Sequence, residues 1–175
     1  MFVECLQRDL AICSVIQIQP FLDREPGRWH VLSIRDPNHE EQPLAQAKSC
    51  RHLVFEDVLP TTADDGPGPK AAHLESALHF ATQTATEPLV LQCWAGRSRS
   101  TAIALALIVQ CLAEKRLEVG ELVPTSIDIL LALRPNAVPN AFVLRLGLEQ
   151  FLPAPQSQTL SNALMREPRI RRNFV

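Results

Sequence analysis

The stretch Leu89–Glu114, LVLQCWAGRSRSTAIALALIVQCLAE, constrains the fold of this chain more than any other. It holds a short apolar run from Leu89 to Cys93, a loop of small residues carrying two arginines, and a long apolar run from Thr101 to Ala113. A continuous apolar strand is buried on both faces, as strands of parallel sheets are when helices cover both sides. The run after the loop has the length of a core helix and falls well short of the ~20 residues that span a bilayer.

The rest of the chain supports an α/β architecture. Strand-like runs occur at Ile12–Ile18, His30–Ile34, His52–Glu56 and Leu89–Cys93, all short and rich in branched or aromatic side chains. Helical spacing is read at Leu44–Ser49, Lys70–Gln83, Arg99–Glu114, Pro124–Leu133 and Asn140–Leu152. Alternation of the two predicts a central, mostly parallel sheet of four to five strands flanked by helices. Pro124 suits the first turn of a helix, Arg134-Pro135 stops it, and Asn140 caps the next one. Pro60–Lys70, PTTADDGPGPK, reads as a loop. The 175 residues fit one domain, taken as 1–155, followed by a polar and basic tail over 156–175.

Composition narrows the function. A formal net charge of -2 gives no electrostatic argument for a nucleic-acid partner. The N-terminal residues, with Glu4, Arg8 and Asp9, lack the pattern of a secretory signal, so a cytoplasmic protein without membrane insertion is expected. Five scattered cysteines without a CxxC pair fit a reducing compartment and argue against a zinc or disulfide framework. His73 and His79 are six apart on one helix, not the three or four that would join them on a metal, and Cys111 reads as core.

If Leu89–Cys93 is a buried parallel strand, the loop Trp94–Ser98 lies at its carboxyl end and at the amino end of the following helix. Open α/β sheets bind ligands there. Backbone N–H groups of Trp94, Ala95, Gly96, Arg97, Ser98 and Arg99, with the helix dipole, form a cradle for a tetrahedral dianion. Cys93 at its base is stabilised as a thiolate and becomes a nucleophile. Arg99 can grip two phosphate oxygens in a fork that lysine cannot reproduce, and Ser100 places a hydroxyl near the sulfur. A carboxyl at the end of a neighbouring strand would complete the site. Asp57 follows the strand His52–Glu56 and is the first candidate, with Asp64, Asp65 and Glu56 as alternatives.

The run CWAGRSRS resembles the Cys-x-x-Gly-x-x-Arg-Ser/Thr loop of the cysteine-dependent protein tyrosine phosphatase superfamily, and AGxSRS is typical of its dual-specificity-like branch. RPNAVPNAFVLRLGLEQF, Arg134–Phe151, is similar to the segment that follows in that branch, so the resemblance covers roughly Ile12 to Phe151. It implies hydrolysis of a phosphorylated protein or small phosphorylated molecule through a phosphocysteine on Cys93, without cofactor or metal, an aspartic acid moving the protons. Gln92 stands where the family nearly always has histidine. It hydrogen-bonds but carries no charge, which implies a less firmly held thiolate and leaves a phosphate-binding relative with weak or no catalysis as the rival. Arg97 occupies a position where inositol and lipid phosphatases of the superfamily often carry lysine; otherwise it points outward to a surface acid. Trp94 forms a wall of the site or packs beneath the loop. Sulfur transfer and arsenate reduction fit less well, and neither the substrate nor the oligomeric state is set by the sequence.

Overall fold

The computed structural model describes residues 1–58 and 66–174. Five strands form one sheet: β1 (Phe2–Val3), β2 (Arg8–Ser14), β3 (His30–Arg35), β4 (Ser49–Val54) and β5 (Leu89–Cys93), in the order β1-β2-β5-β3-β4. Only β1 runs antiparallel; β2, β5, β3 and β4 are parallel to one another. The helices are α1 (Val15–Leu22), α2 (Ala71–Gln83), α3 (Arg99–Glu114), α4 (Val119–Leu133), α5 (Ala141–Leu148), α6 (Ala154–Arg166) and α7 (Pro168–Arg171).

β5 is the central strand and all five of its residues are buried. Its side chains alternate between two apolar layers. Val90 meets Ile18 and Leu22 of α1 with Trp29 on one face, whereas Leu89, Leu91 and Cys93 join the larger core under α2–α6 on the other. α3 is the axis of that core: from Arg99 to Val109 every residue is buried. Its boundaries match the apolar pattern because strand, loop and helix are all enclosed. Arg8, nearly buried at the start of β2, donates to the carbonyls of Ala81, Thr84 and Glu87 and so closes the C-terminal end of α2; burial lowers it to about 10.

Several expectations change. The run Ile12–Ile18 is not one strand: Ser14 is the last residue of β2 and the N-cap of α1, its N–H donating to Gln17 Oε1 at 3.1 Å, and a short apolar run cannot by itself tell strand from buried helix. Leu44–Ser49 is not a helix. The Lys48 N–H donates to Trp29 O at 2.8 Å and draws the chain into β4, which starts at Ser49 and ends at Val54 rather than spanning His52–Glu56. α4 begins at Val119, so Pro124 lies inside it; the carbonyl it leaves without an N–H belongs to exposed Gly120, open to water.

The last change concerns 156–175, where a polar and basic tail is expected. α6 and α7 occupy most of it, burying Leu160, Leu164 and Ile170. Ser157, Leu160, Ser161 and Leu164 form a stripe at i, i+3, i+4 and i+7, all buried. Two of the four are serines, small enough for close helix contact, and they hide the pattern from a hydrophobicity reading.

Candidate active site

The loop Trp94–Ser98 joins the carboxyl end of β5 to the start of α3, as its composition predicts. Gly96 has φ +63°, and a Cβ there would stand 2.6 Å from the carbonyl carbon and oxygen of Cys13 and 2.7 Å from the Ser14 nitrogen. The loop therefore lies directly on the end of β2, closer than a side chain allows and in a left-handed backbone conformation that favours glycine.

Its carbonyls are turned outward and tied down. Val15 N donates to Trp94 O at 3.1 Å, Arg134 Nη2 to Ala95 O at 3.1 Å, and Val138 N to Arg97 O at 2.7 Å. The Thr101 hydroxyl donates to the carbonyls of Arg97 and Ser98. Among the described residues, no backbone N–H of Trp94–Ser98 donates to a protein acceptor. With the open N–H groups of the first turn of α3, these donors remain for an anion.

Cys93 Sγ lies 3.1 Å from Ser100 Oγ, both side chains buried. Cys111 sits twelve residues beyond Arg99 on α3, roughly 18 Å along the helix, and bonds to Cys5 O instead; it is no partner for Cys93. Gln92 points to the opposite face of the sheet from Cys93, where its Oε1 accepts from Ser33 Oγ at 2.7 Å.

Arg99 is almost entirely buried. Nη1 and Nη2 donate to the two carboxylate oxygens of Asp36 at 3.0 and 3.1 Å, and Nη1 also donates to Phe55 O at 2.7 Å. Nε is buried and has no hydrogen-bond partner among the described residues. Of five guanidinium N–H groups, the three engaged ones leave the Nε–H and one Nη2–H, which lie side by side on one edge and match two oxygens of a tetrahedral anion.

Asp57 comes into the same site. Its Oδ1 accepts from Ser98 Oγ and from Asn140 Nδ2, each at 2.8 Å, and its Oδ2 is 3.8 Å from Arg99 Nε. Asn140 also caps α5, its Oδ1 accepting from the N–H groups of Phe142 and Val143. One amide thus joins a helix start to the carboxyl. Glu56 lines the same cavity, of about 330 Å³, as Asp36, His39, Asp57, Trp94 and Arg99. Asp64 and Asp65 lie outside the described residues.

Trp94 is 57% exposed and stacked on His39, centroids 4.7 Å apart and planes 16° apart. It stands at the mouth rather than beneath the loop. Among the described residues Arg97 meets no acid: Nε donates to Asn136 O at 2.9 Å and Nη2 to Asn173 O at 3.2 Å, turning it toward the C-terminal segment.

Asp36, His39 and the second role of Asn140 escape the sequence reading. Asp36 sits directly after β3, the placement that marks Asp57 after β4, so the same rule could have found it. In Asp36-Pro37-Asn38 it reads instead as a turn residue.

No protein-family model matches the sequence, and no curated protein matches it. Solved structures do. DUSP15 superposes with a TM-score of 0.55 at 22% identity, covering 93% of this chain and 94% of its own. Tk-PTP in the active form gives a TM-score of 0.55 at 14% identity, over 82% of this chain and 91% of its own. PTPMT1 in complex with PI(5)P gives 0.51 at 16% identity, over 89% and 93%. The loop geometry and these likenesses agree: the chain has the cysteine-dependent protein tyrosine phosphatase fold in its dual-specificity-like form.

Proposed function

We propose that the protein is a phosphomonoester hydrolase that works through a phosphocysteine. Cys93 Sγ attacks phosphorus, the ester oxygen leaves with a proton from Asp57, and a P–S bond replaces the P–O bond. Water then attacks phosphorus, Asp57 takes its proton, and inorganic phosphate leaves as Cys93 regains its electron pair. Arg99 holds two non-bridging oxygens, the N–H groups of residues 94–99 hold the charge that builds on the phosphoryl group, and Ser100 supports the departing sulfur. With Asp57 Oδ1 occupied by Ser98 and Asn140, Oδ2 is the oxygen left to carry the proton.

The observation that carries this reading is the unpaired Nε of buried Arg99, facing the cavity that Asp57 lines. Leaving a guanidinium donor buried and unmatched is unfavourable unless an anion completes it. Turnover of p-nitrophenyl phosphate tests the assignment. Cys93→Ser is expected to abolish it while phosphate still binds, and Asp57→Ala to slow poor leaving groups most. Undiminished turnover in Cys93→Ser would refute the mechanism.

A further inference from the structure

We propose that this site selects phosphorylated polypeptide segments whose phosphoresidue is flanked by lysine or arginine, and that it disfavours polyphosphorylated small molecules. The proposal rests on the phosphatase reading and names a substrate class for the same site.

Two adjoining cavities, each of about 330 Å³, share Asp36, His39 and Trp94. The first has Arg99 in its wall beside the phosphate loop; the second is bounded by residues 33–36 and 39–43, with Gln92 in its lining. Together they are lined by the carboxylates of Asp36, Glu40, Glu41 and Glu56, and by Asp57 with the proton it carries for the leaving group, against the guanidinium groups of Arg35 and Arg99. Arg99 is paired with Asp36, and Arg35 Nη2 lies 3.9 Å from Glu41, so both cations are engaged. Among the described residues Glu40 and Glu56 have no ion-pair partner.

The unpaired Nε of Arg99 independently marks where an anion sits. One anionic group is therefore wanted at the floor, and around it the field is negative. A second phosphate on the same small molecule would have to settle among carboxylates, where like charges repel. Arg97 and Arg134 line neither cavity; their guanidinium groups are engaged by backbone carbonyls and, for Arg134, by Gln17. A lysine or arginine next to the phosphoresidue finds the opposite situation. Its stem can lie along the exposed indole of Trp94 while its charge reaches Glu40 and Glu41.

Matched phosphotyrosine peptides carrying lysine or glutamate at the flanking positions test this, with an inositol polyphosphate as comparator and p-nitrophenyl phosphate reporting on the hydrolase reading alone. At low salt, kcat/KM is expected to favour the lysine-flanked peptide by about tenfold, an effect of a few exposed ion pairs. The ratio should shrink toward one at high salt, as screening shortens the reach of charge. The double variant Glu40→Gln, Glu41→Gln is expected to bring the low-salt ratio within about twofold of one. Equal or reversed preference in the wild type, or turnover of the inositol polyphosphate matching that of the lysine-flanked peptide, overturns the proposal. If p-nitrophenyl phosphate is not turned over, the hydrolase reading has failed separately. The same peptides are then compared by fluorescence anisotropy, where the tenfold difference is expected in Kd and equal affinities overturn the proposal.

Discussion

Asp36 receives the end of the Arg99 guanidinium in two parallel hydrogen bonds, Nη1 to Oδ1 at 3.0 Å and Nη2 to Oδ2 at 3.1 Å. Together with Phe55 O at 2.7 Å, this contact fixes which edge of the guanidinium is free. A buried arginine held on one side is preorganised on the other, so little ordering remains when phosphate arrives. Removing Asp36 should therefore weaken phosphate binding through Arg99. Hydrogen bonds to charged groups contribute ~1.5–3 kcal/mol, so Asp36→Asn is expected to lower kcat/KM about 10- to 100-fold. The Ki of inorganic phosphate should rise in parallel, and an unchanged Ki would show that Asp36 is merely structural.

Gly96 tests the loop itself. A methyl group at this position must displace the backbone of Cys13 and Ser14 and hold a left-handed conformation at φ +63°. Gly96→Ala is expected to destabilise the fold by about 1–3 kcal/mol, the range for backbone strain of this type. Urea denaturation measures it, and anion binding should be lost along with stability.

Asn173 ties the C-terminal segment to the site. Its Nδ2 donates to Pro135 O at 2.9 Å and Ala137 O at 3.0 Å, and its carbonyl accepts from Arg97 Nη2. The 134–138 segment in turn holds the loop carbonyls of Ala95 and Arg97. Asn173→Ala should loosen the loop from outside, raising KM and the phosphate Ki about threefold to tenfold at nearly constant kcat, for a loss of about 1 kcal/mol. Asn173→Asp, which cannot donate to the two carbonyls, should behave like alanine. Constant KM in both variants contradicts the link.

Gln92 bears on the nucleophile. Bonded to Ser33 across β5 and β3, it is neutral and lies on the far face of the sheet from Cys93. A histidine there can carry positive charge beneath the loop and favour the thiolate. The pH profile of Cys93 alkylation by iodoacetamide is expected to lie at lower pH in Gln92→His than in the wild type. Coincident profiles would mean that the residue at this position does not govern the thiolate.

Much of this site is legible in the sequence for one physical reason. Where strand, loop and helix are all buried, every residue is under packing constraint, so Leu89–Glu114 announces its own boundaries, with Cys93 ending β5 and Arg99 and Ser100 opening α3. Asp57 is legible because a carboxyl just beyond a parallel strand lies at the binding edge of the sheet. Legibility fails where a residue's role depends on a distant partner. Asp36 and Arg99 are 63 positions apart, and Asn140 and Asp57 are 83 apart; no local pattern connects them. It fails too where small polar residues take core positions, as Ser157 and Ser161 do in α6. Arg97 shows the same limit: its type suggests a second phosphate contact, whereas its partners are two carbonyls far along the chain.

The central claim is that Cys93 carries the phosphoryl group. It is tested most directly by mixing the wild-type protein with a slight deficit of an aryl phosphate, quenching in acid within one turnover and mapping the adduct by mass spectrometry. A phosphoryl group is expected on Cys93, absent in Cys93→Ser and longer-lived in Asp57→Ala. Release of phosphate with no adduct at any time, or an adduct on another residue, would contradict it.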